Sequence, residues 1–195
     1  DQETGEVEVL PLVCLEEYKR TASNQDWEQL LHWKRCLEDV TLIFISSTSQ
    51  GGGVALMRHD LIRLYRAIGI DAHWLVMSAF FPQIFLITKN AFHNTFQAQL
   101  ELKLDKEGEE LLIENWRKNA RRFEPLIAAA KKNLVIIIDD YQPSGMMQQL
   151  KETVQRSGKN AKFIYRSHIH FRANMSLNTT AGFNWSFLWE RIREL

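Results

Sequence analysis

The chain has 195 residues, of which 45% are hydrophobic, so it can build a buried core, and this composition argues against disorder. Its 24 basic and 24 acidic residues cancel, which gives no support to a nucleic acid or an acidic membrane surface as a partner. Cys14 and Cys36 stand outside any C-x-x-C pattern and predict free thiols in a reducing compartment, so we expect a cytoplasmic protein. No apolar run reaches the length of a membrane span.

The first part of the chain predicts a helical lead-in followed by a strand and a helix. Residues 1–10 are acidic and polar, and we expect them to be loose. Apolar side chains among the charges of residues 15–38 predict one or two amphipathic helices, which gives a lead-in over residues 1–39. The apolar run Val40–Ser46 predicts the first strand, and helical spacing from Val54 to Ile68 predicts a helix that Gly69 ends.

The rest of the chain continues the alternation of strands and helices, which predicts a parallel sheet with helices on both faces. The fold class is therefore α/β, with one Rossmann-like domain over residues 40–195. Its further predicted strands are residues 71–77, 134–138 and 161–166, and its further helices are residues 107–132 (interrupted or restarted at Pro125), 144–157 and 184–195.

Three glycines, Gly51 to Gly53, stand where the first strand gives way to a helix. The first N–H groups of a helix are unpaired and carry the positive end of its dipole, so this loop predicts a site for phosphate or for a sugar reacting beside one. The alternative is a tight turn in which the glycines serve packing alone. The loop matches neither G-x-G-x-x-G nor G-x-x-x-x-G-K-[ST], so a dinucleotide or Walker site is unsupported.

Two further polar clusters also follow predicted strands. They are Asp139 and Asp140 with Gln142, and Arg166 with His168. Because the carboxyl ends of parallel strands meet at one edge of a sheet, we expect all three clusters to face one pocket. A fourth polar group, His93 and Asn94 with Gln97, lies between predicted strands, and helical spacing would put His93 and Gln97 on one face.

Each of these residues also has a plainer interpretation. Asp139 or Asp140 would serve as the N-cap of the following helix. His168 and His170 would point to one side of a strand and could join an aspartate in a metal site, but no third ligand has a recognisable spacing, and we predict no metal. Without a G-x-S-x-G elbow or a Cys–His signature, a covalent hydrolase is unsupported.

Several runs, in order, resemble one known family, the N-terminal domain of trehalose synthases and retaining trehalose phosphorylases of glycosyltransferase family four. The likeness covers residues 40–195. Residues 55–59 (ALMRH) and 166–169 (RSHI) resemble the fungal phosphorylase branch. The runs are Ser47–Ala55 (STSQGGGVA), Ile68–Trp74 (IGIDAHW), Phe85 with Ile87, Thr88 and Lys89, His93 and Asn94 with Gln97, Asn119 with Ala120, Asp139–Gln142 (DDYQ), Phe163–Ile169 (FIYRSHI) and Phe187–Trp189 (FLW).

The resemblance implies the N-terminal half of a glycosyltransferase-B fold, whose C-terminal donor domain lies outside this chain. The family makes or cleaves the α,α-1,1 bond of trehalose with retention. Phosphorylases use phosphate and release α-glucose 1-phosphate and glucose, whereas synthases use a nucleotide-glucose donor. The resemblance implies no metal and no cofactor, and a homodimer is left open. Because the donor half is missing, we expect residues 1–195 alone to be inactive.

The resemblance also implies roles for individual residues. Gly51, Gly52 and Gly53 would approach the donor phosphate and the reacting sugar. Asp140 would hold acceptor hydroxyls, and His168 would contact the transferred sugar near its reacting carbon, so these two are the expected catalytic residues. The other expected acceptor-side residues are Asp139, Gln142, Arg166, His93, Asn94 and Gln97.

Three places depart from the family pattern. Tyr141 stands where proline is usual, Ala98 stands where glycine is usual, and the interval from Thr88 and Lys89 to His93 is one residue longer. These departures keep open a second hypothesis, a catalytically inactive sugar-binding or regulatory module on the same fold. A third, a generic nucleotide-binding Rossmann domain, lacks its fingerprint.

Overall fold

The structure is a computed structural model that describes residues 3–171 and 175–193. This part of the chain contains four strands, β1 (Val40–Ser46), β2 (Asp71–Val76), β3 (Asn133–Asp139) and β4 (Asn160–Arg166). They form one sheet in the order β2-β1-β3-β4, and every neighbouring pair is parallel. This Rossmann-like architecture confirms the predicted α/β fold class.

Helices cover both faces of the sheet. They are α1 (Leu15–Thr21), α2 (Asn24–Cys36), α3 (Gly52–Ala67), α4 (Ile84–Ile87), which runs into a π-helix (Thr88–Asn94), α5 (Lys106–Ala129), α6 (Tyr141–Ser144), α7 (Met147–Arg156) and α8 (Thr180–Ile192). One face of the sheet packs against α1–α3, and the other packs against α5, α7, α8 and the π-helix. Alternate residues of β1 enter the two cores, with Ile43 on one side and Phe44 on the other, which explains its unbroken apolar run.

Two local predictions are wrong. The expectation of a loose stretch is wrong for residues 5–7, which we call the N-terminal segment, because the Val7 N–H donates to the Trp74 carbonyl at 2.8 Å and the Gly5 carbonyl accepts from Val76 at 2.9 Å. Residues 1 and 2 of that stretch lie outside the described residues. The segment thereby pairs with the open edge of β2, which offers unpaired backbone groups. Pro125 does not break the helix, since α5 runs through it without interruption.

The three departures from the family pattern each have a structural counterpart. Ala98 has a φ of 60°, in the left-handed region that favours glycine. The interval before His93 in which we expect one more residue than the family has lies within the π-helix, whose wider hydrogen-bonded turn holds one more residue than an α-helical turn. The Tyr141 side chain is buried against Phe92 and Phe96, with ring centroids 5.7 Å away in both cases.

Candidate functional site

Strand β3 ends in two carboxylates with different surroundings. The Asp139 side chain is fully buried and accepts two hydrogen bonds from Arg58, Nε to Oδ2 at 2.6 Å and Nη2 to Oδ1 at 2.7 Å. The backbone of Asp140 has a φ of 67°, which is uncommon for a non-glycine residue. Its N–H donates to the Arg166 carbonyl at 2.8 Å, so the strained turn also ties β3 to the end of β4.

Arg58 contacts the site but is not among the residues that the sequence predicted for it. It lies on α3 between the buried residues Ala55 and Ile62, and its guanidinium carbon lies 4.2 Å from the centre of the Phe44 ring. A cation at an apolar helical position requires a carboxylate partner, because a buried unpaired charge is costly. The helical spacing of Arg58 from Ala55 and Ile62 indicates in the sequence that Arg58 is buried, but it does not identify Asp139 as the partner.

Two of the His168 nitrogens are fixed by the carboxylates of β3. Its ring Nε2 lies 2.9 Å from Asp139 Oδ1, and its backbone N–H donates to Asp140 Oδ1 at 2.6 Å. Both Asp139 oxygens also accept from Arg58, so this carboxylate acts as a hydrogen-bond acceptor on both sides. The proton between the ring and Asp139 is therefore assigned to Nε2, which leaves the lone pair of a neutral ring on Nδ1.

Burial also changes the pKa of the Asp140 carboxyl. Burial raises the pKa of Asp140 above its ordinary value of 3.8, and the charge of Asp139 adds to this rise. The backbone N–H and the ring of His168 act in the opposite direction. Although Asp140 occupies the N-cap position of α6, its side chain makes no capping hydrogen bond, so the helix-cap interpretation is wrong for this residue.

The glycine loop borders open space. Gly51 and Gly52 both have a φ of 76°, and a Cβ added at Gly51, Gly52 or Gly53 would meet no heavy atom of the described residues within 4 Å. Close packing therefore does not explain the three glycines. His59 contacts the start of the loop, because its Nε2 lies 3.2 Å from the Ser49 carbonyl oxygen.

The glycine loop, both carboxylates and His168 surround one cavity of about 300 Å³, which we call the polar cavity. This is the expected meeting of residues that follow β1, β3 and β4. His93 also reaches this cavity from the π-helix. The lining residues are Ser46, Ser47, Thr48, Gly51, Gly52, Gly53, Val54, Ala55, His93, Asp139, Asp140, Gln142, His168 and Ile169.

Three of the expected acceptor residues do not line the polar cavity. Arg166 is exposed, and its Nη2 lies 3.3 Å from the sulfur of Met57. Asn94 donates from Nδ2 to Asn90 Oδ1 at 3.1 Å, within its own helical turn. The Oε1 of Gln97 accepts from Gln99 at 3.3 Å, so this amide also forms a local bond.

The described residues offer no metal site. In residues 3–171 and 175–193, no group of three or more His, Cys, Asp and Glu side chains could hold a metal ion. His168 is engaged by Asp139, and His170 is exposed beyond the end of β4. Within the same residues, no helix combines the length and the apolar character that crossing a membrane would require.

Comparison with known proteins places these features in a family. The family described as trehalose synthase, N-terminal domain, matches residues 44–195. A trehalose phosphorylase of Pleurotus pulmonarius is 35% identical over 191 residues, which cover 92% of this chain and 24% of that protein. A trehalose synthase of Thermococcus litoralis is 32% identical over 155 residues, which cover 80% of this chain and 34% of that protein. The chain thus spans about a quarter to a third of the length of these curated relatives. It belongs to the family of trehalose synthase N-terminal domains.

Proposed function

We propose that this chain is the acceptor-side domain of a retaining glycosyltransferase that acts on trehalose. The reaction is phosphorolysis of trehalose to α-glucose 1-phosphate and glucose, or synthesis of trehalose from a nucleotide-glucose and glucose. The observation that carries the proposal is the polar cavity, where the glycine loop, Asp140 and His168 meet in a chain whose named relatives are trehalose phosphorylases and synthases.

The polar cavity holds groups suited to transfer of a glucosyl unit. His168 contacts the transferred sugar near its reacting carbon, and Asp140 accepts hydrogen bonds from sugar hydroxyls. The transition state has oxocarbenium character, and fixed dipoles and charges stabilise it without reorganising during the reaction. Arg58 is a positioning residue, because it fixes Asp139, which in turn orients the ring of His168.

The donor phosphate approaches the start of α3. The open space over Gly51 to Gly53 admits a phosphate to the first N–H groups of this helix, where the dipole favours an anion. The remaining donor contacts come from a segment outside residues 1–195. This division of roles is consistent with the length of the relatives, of which the chain covers 24% to 34%.

The test is turnover by the longer protein that carries this chain. With trehalose and phosphate, we expect α-glucose 1-phosphate and glucose. Trehalose formed from a nucleotide-glucose and glucose, without phosphorolysis, would assign the synthase reaction instead. Residues 1–195 alone should be inactive in both assays, and turnover by them would contradict the division of roles. Sugar binding by the longer protein without turnover in either assay would favour the inactive sugar-binding module.

A further inference from the structure

The structure divides a basic cluster on α5 between two surfaces. The cluster consists of Arg117, Lys118, Arg121 and Arg122. Lys118 lies over the ring of Phe81, with its Nζ 4.6 Å from the ring centre, and Arg122 donates to a backbone carbonyl of β2 at 3.2 Å. Arg117 and Arg121, one helical turn apart, instead line a groove between α5 and α7. These two cations therefore belong to a different surface from the other two.

The groove between α5 and α7 has a volume of about 440 Å³, which is in the range of sites that bind small molecules, and we call it the arginine groove. Every described residue that lines it is polar. It shares none of these residues with the polar cavity. The lining residues are Arg117, Arg121, Glu124, Gln148, Gln149, Glu152, Thr153 and Arg156.

One end of the arginine groove is occupied by contacts within the protein. Glu124 accepts from the Thr153 hydroxyl at 3.2 Å and pairs with Arg156, which also donates to Thr153 Oγ1 at 3.1 Å. Helices α5 and α7 run in the same direction, because each leads into one of the parallel strands β3 and β4 from the same face of the sheet. Arg121 and Gln149, each about one turn before this contact, therefore lie together toward the other end.

That other end keeps a cation and an acceptor available. Arg121 forms no hydrogen bond or ion pair with any described residue. The Oε1 of Gln149 is buried and also has no hydrogen-bond partner among them, although native proteins rarely leave a buried acceptor unmatched. Arg117 pairs with Glu114 at the surface at 2.5 Å, and such a pair is weak enough to be exchanged for a stronger partner.

These groups indicate a ligand that carries both an anion and hydroxyl groups. Guanidinium groups match the oxygens of a phosphate, and a hydroxyl donates to an amide oxygen such as Gln149 Oε1. Three arginines against two glutamates favour a ligand of net negative charge. No aromatic side chain of the described residues lines the groove, so the base of a nucleotide would find no ring on which to stack. Glu152 offers a further acceptor for hydroxyls.

We propose that the arginine groove binds a sugar phosphate, with the phosphate on Arg117 and Arg121 and a ring hydroxyl on Gln149. The groove is separate from the polar cavity, so the inference does not depend on glucosyl transfer there. Its ligand is held by side chains of two helices that pack on one face of the sheet, and removal of a single guanidinium should weaken it.

The experiment is an NMR titration of the ¹⁵N-labelled 195-residue chain with D-glucose 6-phosphate. We expect saturable shifts of the Arg121 Nε–H signal and of the side-chain amide signals of Gln149. Arg121→Gln should weaken binding at least about tenfold, and Gln149→Leu about threefold to tenfold. Arg35→Gln is the matched control, because Arg35 is also exposed but lies on α2, which packs on the opposite face of the sheet; it should change the affinity less than about twofold.

Two further probes separate the parts of the ligand. D-glucose lacks the anion and inorganic phosphate lacks the ring hydroxyls, so each should bind the groove at least about tenfold more weakly than glucose 6-phosphate. An equal affinity for either probe would overturn the assigned ligand class. The site itself would be overturned by no saturable binding, by shifts confined to the glycine loop and His168, or by equal affinities of the Arg121→Gln and Arg35→Gln variants.

Discussion

Arg58 and Asp139 form a bidentate ion pair, with atoms 2.6 and 2.7 Å apart and both side chains fully buried. The pair joins α3, which begins at the glycine loop, to β3, which ends at the two carboxylates. Because His168 contacts the same Asp139 carboxylate at 2.9 Å, the pair connects three elements that border the polar cavity. The geometry of the cavity and the stability of the fold therefore depend on the same interaction.

Loss of Arg58 should be costly for stability. Arg58→Met leaves the Asp139 charge buried without its partner, and we expect the free energy of unfolding in urea to fall by about 3–5 kcal/mol. Adding Asp139→Asn should recover much of this loss, because the unpaired charge is removed. Arg117→Met is the control, since Arg117 pairs with Glu114 at the surface, and it should cost at most about 1 kcal/mol. Equal costs for the two arginine variants would contradict the account.

Gly53→Ala should separate stability from function. The Gly53 backbone has no positive φ, and a Cβ there meets open space, so the first turn of α3 should tolerate alanine with a gain of up to about 1 kcal/mol. The methyl group would stand where we place the phosphate, so phosphorolysis by the longer protein should fall. Gly52→Ala, at a φ of 76°, should instead lose about 1–2 kcal/mol. Unchanged turnover in Gly53→Ala would place the phosphate elsewhere.

Ala98→Gly should stabilise the protein. Ala98 has a φ of 60°, where a Cβ costs about 1 kcal/mol, so removing it should raise the free energy of unfolding by about that amount. Ala128→Gly should instead lower the free energy of unfolding, because Ala128 is an exposed residue of α5 and glycine weakens a helix. Urea denaturation of both variants measures the two changes in the free energy of unfolding. A loss of stability in Ala98→Gly would rule out backbone strain at this position.

The pairing of the N-terminal segment should depend on pH. The hydrogen bond to Glu6 raises the pKa of His73 above its ordinary value of 6.5, and burial opposes this rise. The same hydrogen bond lowers the pKa of Glu6 below its ordinary value of 4.5. The His73 contribution is complete below pH 6.5 and is lost as the pH rises through the raised folded value. The Glu6 contribution is present above pH 4.5 and is lost as the pH falls through the lowered folded value.

The stabilisation by this pair should therefore be greatest between about pH 4.5 and 6.5. The amides of Val7 and Val76, whose N–H groups join the segment to β2, should show their largest protection factors in that window, that is, their slowest exchange relative to an unstructured peptide at the same pH. His73→Gln should flatten the profile. A variant that kept the wild-type profile would show that other groups control the segment.

The sequence predicted the sheet and its polar edge because those features follow from local patterns. The unbroken apolar runs of β1 and β3 identified buried strands, and Asp139 and Asp140 follow the second run directly. The Arg58–Asp139 pair was not predictable in the same way. The two residues are 81 positions apart, and their contact depends on how α3 is rotated over the sheet.

The expected pairing of His93 and Gln97 in one site fails because the helix ends at Gln97. The Gln97 N–H still donates to the His93 carbonyl at 3.2 Å, as in an α-helix, but the next residue, Ala98, has a φ of 60° and the chain leaves the helix there. His93 reaches the polar cavity, whereas the Gln97 amide bonds to Gln99.

If glucosyl transfer takes place in the polar cavity, two nearby histidines should differ sharply in their importance for turnover. His168 lines the cavity, whereas His170, two residues later, is exposed outside it. In the longer protein, His168→Ala should lower kcat/KM for trehalose phosphorolysis, or for synthesis if that is the direction found, at least about 100-fold. His170→Ala should stay within about twofold of the wild type. Wild-type activity in His168→Ala would contradict the account.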